Sequence, residues 1–156
     1  MRRTLGIVMT AYLVAACSGA SPTLALSNAS VDPIFTCPVG SSNTPYDVHA
    51  RVEAHNGTSG TVTIKSVSAD LTLEAVSGPW LERVGDKYQA SNVTVAPTSV
   101  AAGASASLKV TISSACTNGK ATNGASYGDY RITLHFATSA GNFSISSKTN
   151  HRLTAA

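Results

Sequence analysis

At 156 residues, 43% of them hydrophobic and only 12% charged, the chain is long enough to bury one real core and leaves its solubility to many Ser, Thr, Asn and Gly side chains. Eleven Lys and Arg against eight Asp and Glu give a net charge of +3, but Arg2 and Arg3 stand at the very start, and without them the excess is +1. A near-neutral body has no electrostatic motive for nucleic-acid binding.

Met1-Arg2-Arg3 leads into an apolar run from Leu5 to Ala16, followed by Cys17. A positive start, an apolar stretch of about 7–15 residues and small residues at its end describe an export signal, whereas a membrane span needs about 20. Val14-Ala15-Ala16-Cys17 resembles the lipobox of bacterial lipoproteins, with Val14 where that family most often has Leu. The resemblance covers seventeen residues. It implies that residues 1–16 are removed as a signal peptide, that Cys17 is acylated and becomes the new N-terminus, and that the mature protein is a cell-envelope lipoprotein held to the membrane by its lipid. Small-x-small cuts after Ala20, Ala25 or Ala29 would give a soluble secreted protein instead, and an uncleaved anchor is the remaining alternative. Residues 17–33 read as a flexible, turn-rich tether and residues 34–156 as the folded domain.

Of three cysteines, Cys17 leaves the thiol pool by either cleavage route, so Cys37 and Cys116 remain as an even pair in an oxidising compartment. A disulfide between them closes a long loop and contributes roughly 4 kcal/mol on the chain-entropy account. Two unrelated buried thiols are the alternative; a metal pair is disfavoured, since no Cys-x-x-Cys spacing occurs.

From Tyr46 to Asn56 the chain alternates, with Tyr46, Val48, Ala50, Val52 and Ala54 on one side and Asp47, His49, Arg51, Glu53 and His55 on the other. Period two over this length predicts a half-buried strand, and Asn56-Gly-Thr-Ser-Gly60 turns it. The next strand begins with Val62 and Ile64 inward and continues with Val67, Ala69, Leu71 and Leu73 on the opposite parity, which predicts a bulge near Lys65-Ser66. Residues 78–91 have no clean period and read as a long connection, with Trp80 capping the core or facing solvent. Asn92–Val95 is a short strand ended by Pro97. Residues 106–116 place Leu108, Val110, Ile112 and Cys116 on one face, and 117–126 form a polar loop. Asp129–Lys148 is the clearest hairpin, with Tyr130, Ile132, Leu134 and Phe136 inward, a turn at Ser139–Asn142, and Phe143 and Ile145 on the return.

No segment has a helical period. About seven strands with frequent turns predict an all-β, single antiparallel sandwich. Pro97–Gly103 before an alternating strand, and Gly128-Asp-Tyr130 opening the next, resemble the middle and late strands of immunoglobulin-like and fibronectin-type-III-like bacterial domains. The likeness spans about residues 34–153 without the Cys…Trp…Cys spacing of true immunoglobulin domains. A staple from the first strand to the strand end at Cys116 fits better than a central bridge between sheets.

Candidate chemistry is sparse. Gly124-Ala-Ser126-Tyr-Gly128 matches the nucleophile elbow Gly-x-Ser-x-Gly, but a polar loop precedes it and a strand follows, where the elbow needs a strand and then a helix. His49 and His55 lie roughly 20 Å apart along one strand, too far to share an ion. Asp47 with His49, or Glu53 with His55, supplies only two ligands, and His135 points outward; a solvated strand face with cross-strand pairs accounts for all of them. Asp86 beside Glu82 is a loose calcium candidate. Asn28, Asn56, Asn92 and Asn142 fit the glycosylation sequon.

No catalytic residue, metal site or cofactor is implied. The expectation is a non-enzymatic surface module with a binding or structural envelope role, using loop tips at 78–91 and 117–128 or an edge strand to meet a protein or glycan partner. The alternative is a periplasmic or secreted carrier of a small ligand or metal, for which an enclosed pocket would speak.

Overall fold

The computed structural model describes residues 23–90, 92–118 and 126–155. The export signal, Cys17 and most of the 117–126 loop lie outside them. The described residues form eleven strands and no helix: β1 (Leu24–Val31), β2 (Ile34–Cys37), β3 (Thr44–Asn56), β4 (Val62–Ser77), β5 (Lys87–Ala90), β6 (Val93–Ala96), β7 (Ser99–Val100), β8 (Ser105–Cys116), β9 (Ser126–Thr138), β10 (Gly141–Ser146) and β11 (His151–Ala155). One sheet runs β1-β3-β8-β6 and the other β2-β11-β9-β4-β5, with β10 also on β9 and β7 on the start of β4.

The four long strands follow their alternation. Val48, Ala50, Val52 and Ala54 of β3 and Leu108, Val110 and Ile112 of β8 share one core with Val67, Ala69, Leu71 and Leu73 of β4 and Ile132, Leu134 and Phe136 of β9. The switch of parity in β4 is a register shift between Ile64 and Ser66, where the extra residue rotates the following side chains onto the other face. A second shift follows Leu73.

Three expectations are corrected. The sandwich has eleven strands, not about seven, because several positions in the immunoglobulin order, A-B-E-D against G-F-C, are filled by split strands. The first is divided into β1 and β2, which lie in different sheets, and the last into β10 and β11, which both pair with β9. Nor is the fold wholly antiparallel. β2 and β11 run parallel, Ile34 beside Arg152 and Ala155 beside Cys37. Parallel neighbours need a long connection, and here nearly the whole domain supplies it.

The third correction concerns the tether. Of the stretch 17–33, Leu24–Val31 does not remain outside the fold but is the edge strand β1, paired with β3 from Leu24 opposite Asn56 to Val31 opposite Ala50. Only Leu24 and Ala29 are buried; a register shift between Ser27 and Ser30, with Asn28 at φ 52°, breaks the alternation that would have marked a strand. Likewise the 78–91 connection ends early, because Lys87–Ala90 pairs with Ala69–Thr72 of β4.

Cys37 and Cys116 form the expected disulfide, and both are buried. The bond joins the end of β2 to the end of β8 and so crosses between the two sheets at one end of the sandwich.

The opposite end is organised by Asn56, wholly buried at the last inward position of β3. Its side-chain amide donates to the carbonyls of Gly60 (2.8 Å), Val100 (2.9 Å) and Ala101 (3.1 Å), and its oxygen accepts from the backbone N–H (2.9 Å) and hydroxyl (2.7 Å) of Thr58. Its backbone bonds Ala104 and Gly103. One side chain thus ties β3, the 57–60 turn and β7, and as a sequon it is unavailable to a glycan in the folded state. Asn56→Ala is expected to lower stability by about 3 kcal/mol, because three carbonyls, from the 57–60 turn and from Val100-Ala101, lose their donor. The urea midpoint should fall with an unchanged slope; a change under about 0.5 kcal/mol would mean that water replaces the amide.

Candidate functional site

At the disulfide end the inward stripe of β9 begins with Ser126 and Gly128, before the first large inward side chain, Tyr130. Beside them a cleft of about 580 Å³ opens to solvent, with Ser126 in its wall. Its walls come from both sheets and from the 78–86 connection: Tyr46 of β3, Ser114 and Cys116 of β8, Leu71 of β4, Tyr88 of β5, Tyr130 of β9, and Pro79 to Glu82. The volume lies within the range of small-ligand sites.

Trp80 is half-buried and lies over Gly128, so closely that a Cβ at position 128 would stand 2.7 Å from its Cε2. The indole N–H donates to the Tyr130 hydroxyl at 3.1 Å, and that hydroxyl donates to Glu82 Oε2. Burial, and next the bond to Glu82, push the Tyr130 phenol well above its ordinary range. Burial likewise raises Tyr46. Both remain neutral donors at physiological pH. Tyr46 is fixed from behind by a ring stack, 4.1 Å from Phe35 and 5.9 Å from His151 between centroids.

His151 is almost wholly buried. Its Nδ1–H donates to the Asp32 carbonyl at 2.7 Å, while Nε2 has no hydrogen-bond partner among the described residues. Burial holds its pKa below the ordinary histidine value. The unfolded chain therefore binds a proton that the native state refuses, so stability is full above about pH 6.5 and falls as the pH drops below it. Urea midpoints measured between pH 7.5 and 5 should fall with pH, and His151→Gln should flatten the slope; an unchanged slope would assign it to other groups.

The other candidates from the sequence are not brought together. His49 pairs with Asp32 at 2.8 Å, whereas Asp47 accepts from Ser113 at 3.2 Å and His55 meets Ser105 at 3.0 Å, residues directly across the β3–β8 ladder. His135 and Lys87 share Asp70 at 3.2 and 3.5 Å. Among the described residues no group of three His, Cys, Asp or Glu could hold a metal. Glu82 and Asp86 do not converge: Glu82 turns to Tyr130, while Asp86 accepts from the Arg83 backbone at 2.8 Å and closes the local turn. Ser126 opens β9, so a strand follows it where a nucleophile elbow needs a helix.

No family model matches the chain, and no curated protein matches it. AggA, the major subunit of aggregative adherence fimbriae type I from Escherichia coli, is similar at 16% identity over 85% of this chain and 95% of that chain, with a TM-score of 0.35. The PapD-like domain 7 of human CEP192 covers 96% of both chains at 12% identity and a TM-score of 0.27. Vibrio cholerae VesB protease covers 81% of this chain and 31% of that one at 15% identity and 0.28. At these scores none of the three bears on function.

The contact between Trp80 and Gly128 gives the site its own test. Gly128→Ala should expel the indole, shift its emission to the red and increase quenching by acrylamide, with a loss of about 1 kcal/mol because the exposed side of the cleft gives way. An unshifted spectrum would show that the ring does not rest on Gly128.

Proposed function

We propose that this chain is an exported, membrane-anchored, immunoglobulin-like module whose work is binding, carried out at the cleft end of the sandwich. The observation that carries the reading is the crowding of exposed apolar side chains there. Leu81, 84% exposed, and Tyr88 line the cleft, and exposed Val76 lies opposite Gly128 at the same end of the β4–β9 ladder. Large apolar side chains left exposed beside a cavity point to a contact face.

Geometry supports the anchored form. Leu24 pairs with Asn56, whereas Tyr46 of the cleft pairs with Ser114 at the other end of β3. Ten residues of strand separate the two ends by about 33 Å. An acyl group on Cys17, seven residues before Leu24, would hold the sandwich by its far end and turn the cleft away from the membrane. Cuts after Ala25 or Ala29 would remove Leu24, or most of β1, from the folded sheet, whereas the lipobox cut and the cut after Ala20 both leave β1 whole. The cleft volume also favours a small-ligand role over a purely structural one.

A photo-crosslinking amino acid in place of exposed Leu81, and separately of exposed Lys65 at the far end, tests the reading on intact cells. Adducts are expected from position 81 alone, on a protein whose intact mass includes acyl chains at Cys17. Equal adducts from both positions would remove the cleft end as the binding face, and a mature N-terminus without acyl chains would remove the anchor.

A further inference from the structure

We propose that the cleft binds an alkylated ammonium group, seated among the rings of Tyr46, Trp80, Tyr88 and Tyr130 with Glu82 as its counter-charge. This rests on the cleft end being the binding face. Four separate elements deliver these rings to one cavity: β3, the 78–86 connection, β5 and β9. Aromatic faces are electron-rich, and several around one cavity attract a cation without demanding directed hydrogen bonds.

The charge of the lining selects the same class. Glu82 is the one carboxylate among the described lining residues, which include no Lys, Arg or His. Among the described residues it forms no ion pair, its carboxylate accepting from the neutral Tyr130 hydroxyl. An anionic ligand would meet that carboxylate with no compensating cation. A metal ion would find a single strong ligand, and a neutral apolar ligand would strip water from Glu82 and return nothing. An organic cation satisfies the rings and the carboxylate together. A cavity of about 580 Å³ leaves room for the stem that carries the ammonium group. The same group occurs in free amines and in choline lipid headgroups, and no described lining residue is basic enough to take a headgroup phosphate, which favours the free amine.

Trp80 is the chain's one tryptophan, so its fluorescence reports on the cleft directly. The whole mature protein is titrated with choline and with choline's neutral carbon isostere, in which a tert-butyl group replaces trimethylammonium. Saturable change with choline is expected, with the isostere at least about tenfold weaker, and Glu82→Gln and Tyr88→Leu should each weaken choline by about tenfold. Both positions are exposed, and an unchanged thermal midpoint and near-ultraviolet circular dichroism confirm that the variants are folded. Displacement of choline by phosphatidylcholine vesicles identifies a headgroup as the source, and no displacement identifies a free amine; choline saturation supports the proposal in either case. Equal affinity for the isostere, or for choline after Glu82→Gln, overturns the cation while leaving a cleft that binds. No saturation by choline overturns it as well, and the cross-linking at position 81 then decides independently whether this end binds anything.

Discussion

The structure depends on β9 being bonded along both edges. Its 126–138 backbone pairs with β4 on one side and with β11 and then β10 on the other. Every second residue is buried, from Ser126 through Thr138. A strand held on both sides cannot slip by one residue without turning Ile132, Leu134 and Phe136 out to water and Arg131 and His135 into the core. That register sets the β4 register, and the bulge at Lys65 lets β4 leave β9 and take up β7 without breaking the inward stripe. The second sheet is fixed by the same logic, with β3 and β8 paired residue for residue from Thr44 to His55.

Legibility in the sequence follows from how many inward positions a strand has. β3, β4, β8 and β9 each carry four or more buried side chains at period two, and their faces, the bulge in β4 and the core-side position of Cys116 were all readable. β5, β7 and β11 are two to five residues long, too short for a period to form. β1 is longer, but its composition reads as tether because the strand lies at an edge, with solvent taking Ser27, Asn28 and Ser30. Asn56 did leave a signal. It continues the inward parity of Val52 and Ala54, and a polar residue at a core position demands local hydrogen bonds; the following Gly-Thr disguised it as an ordinary turn. The cleft left one too, in Gly128 on the inward stripe of a strand, where a missing side chain implies a close neighbour. Which neighbour could not be read, since Trp80 arrives from a connection without periodicity.

The edges show how an open sandwich avoids pairing with other chains. β6 has four residues and runs into Pro97, which offers no N–H. β1 is kinked by its register shift at Asn28, and β5 is short and begins with Lys87. The outer edge of β2 belongs to a four-residue strand ending in the disulfide. No long, flat, apolar edge is presented among the described strands. Binding by strand addition is therefore less favoured by the backbone than binding at the cleft, where the apolar side chains are.

The two ends of the sandwich meet opposite demands. At the Asn56 end the sheets are closed by packed side chains and a buried amide. At the other end Trp80, from a connection, takes the place of a side chain at Gly128, and beside it small Ser126 leaves space that serves as the cleft. Apolar burial is worth about 25 cal/mol per Å², so an open end contributes less to the sheet-to-sheet contact than a filled one. The Cys37–Cys116 bond lies at that same end, and Cys116 forms part of the cleft wall. Closing a loop with a sequence separation of 79, it contributes about 4 kcal/mol on the chain-entropy account. The covalent link lets β2 and β8 stay together without a filled core between them, and a cavity there is sustained by a bond whose strength does not depend on what the cavity holds.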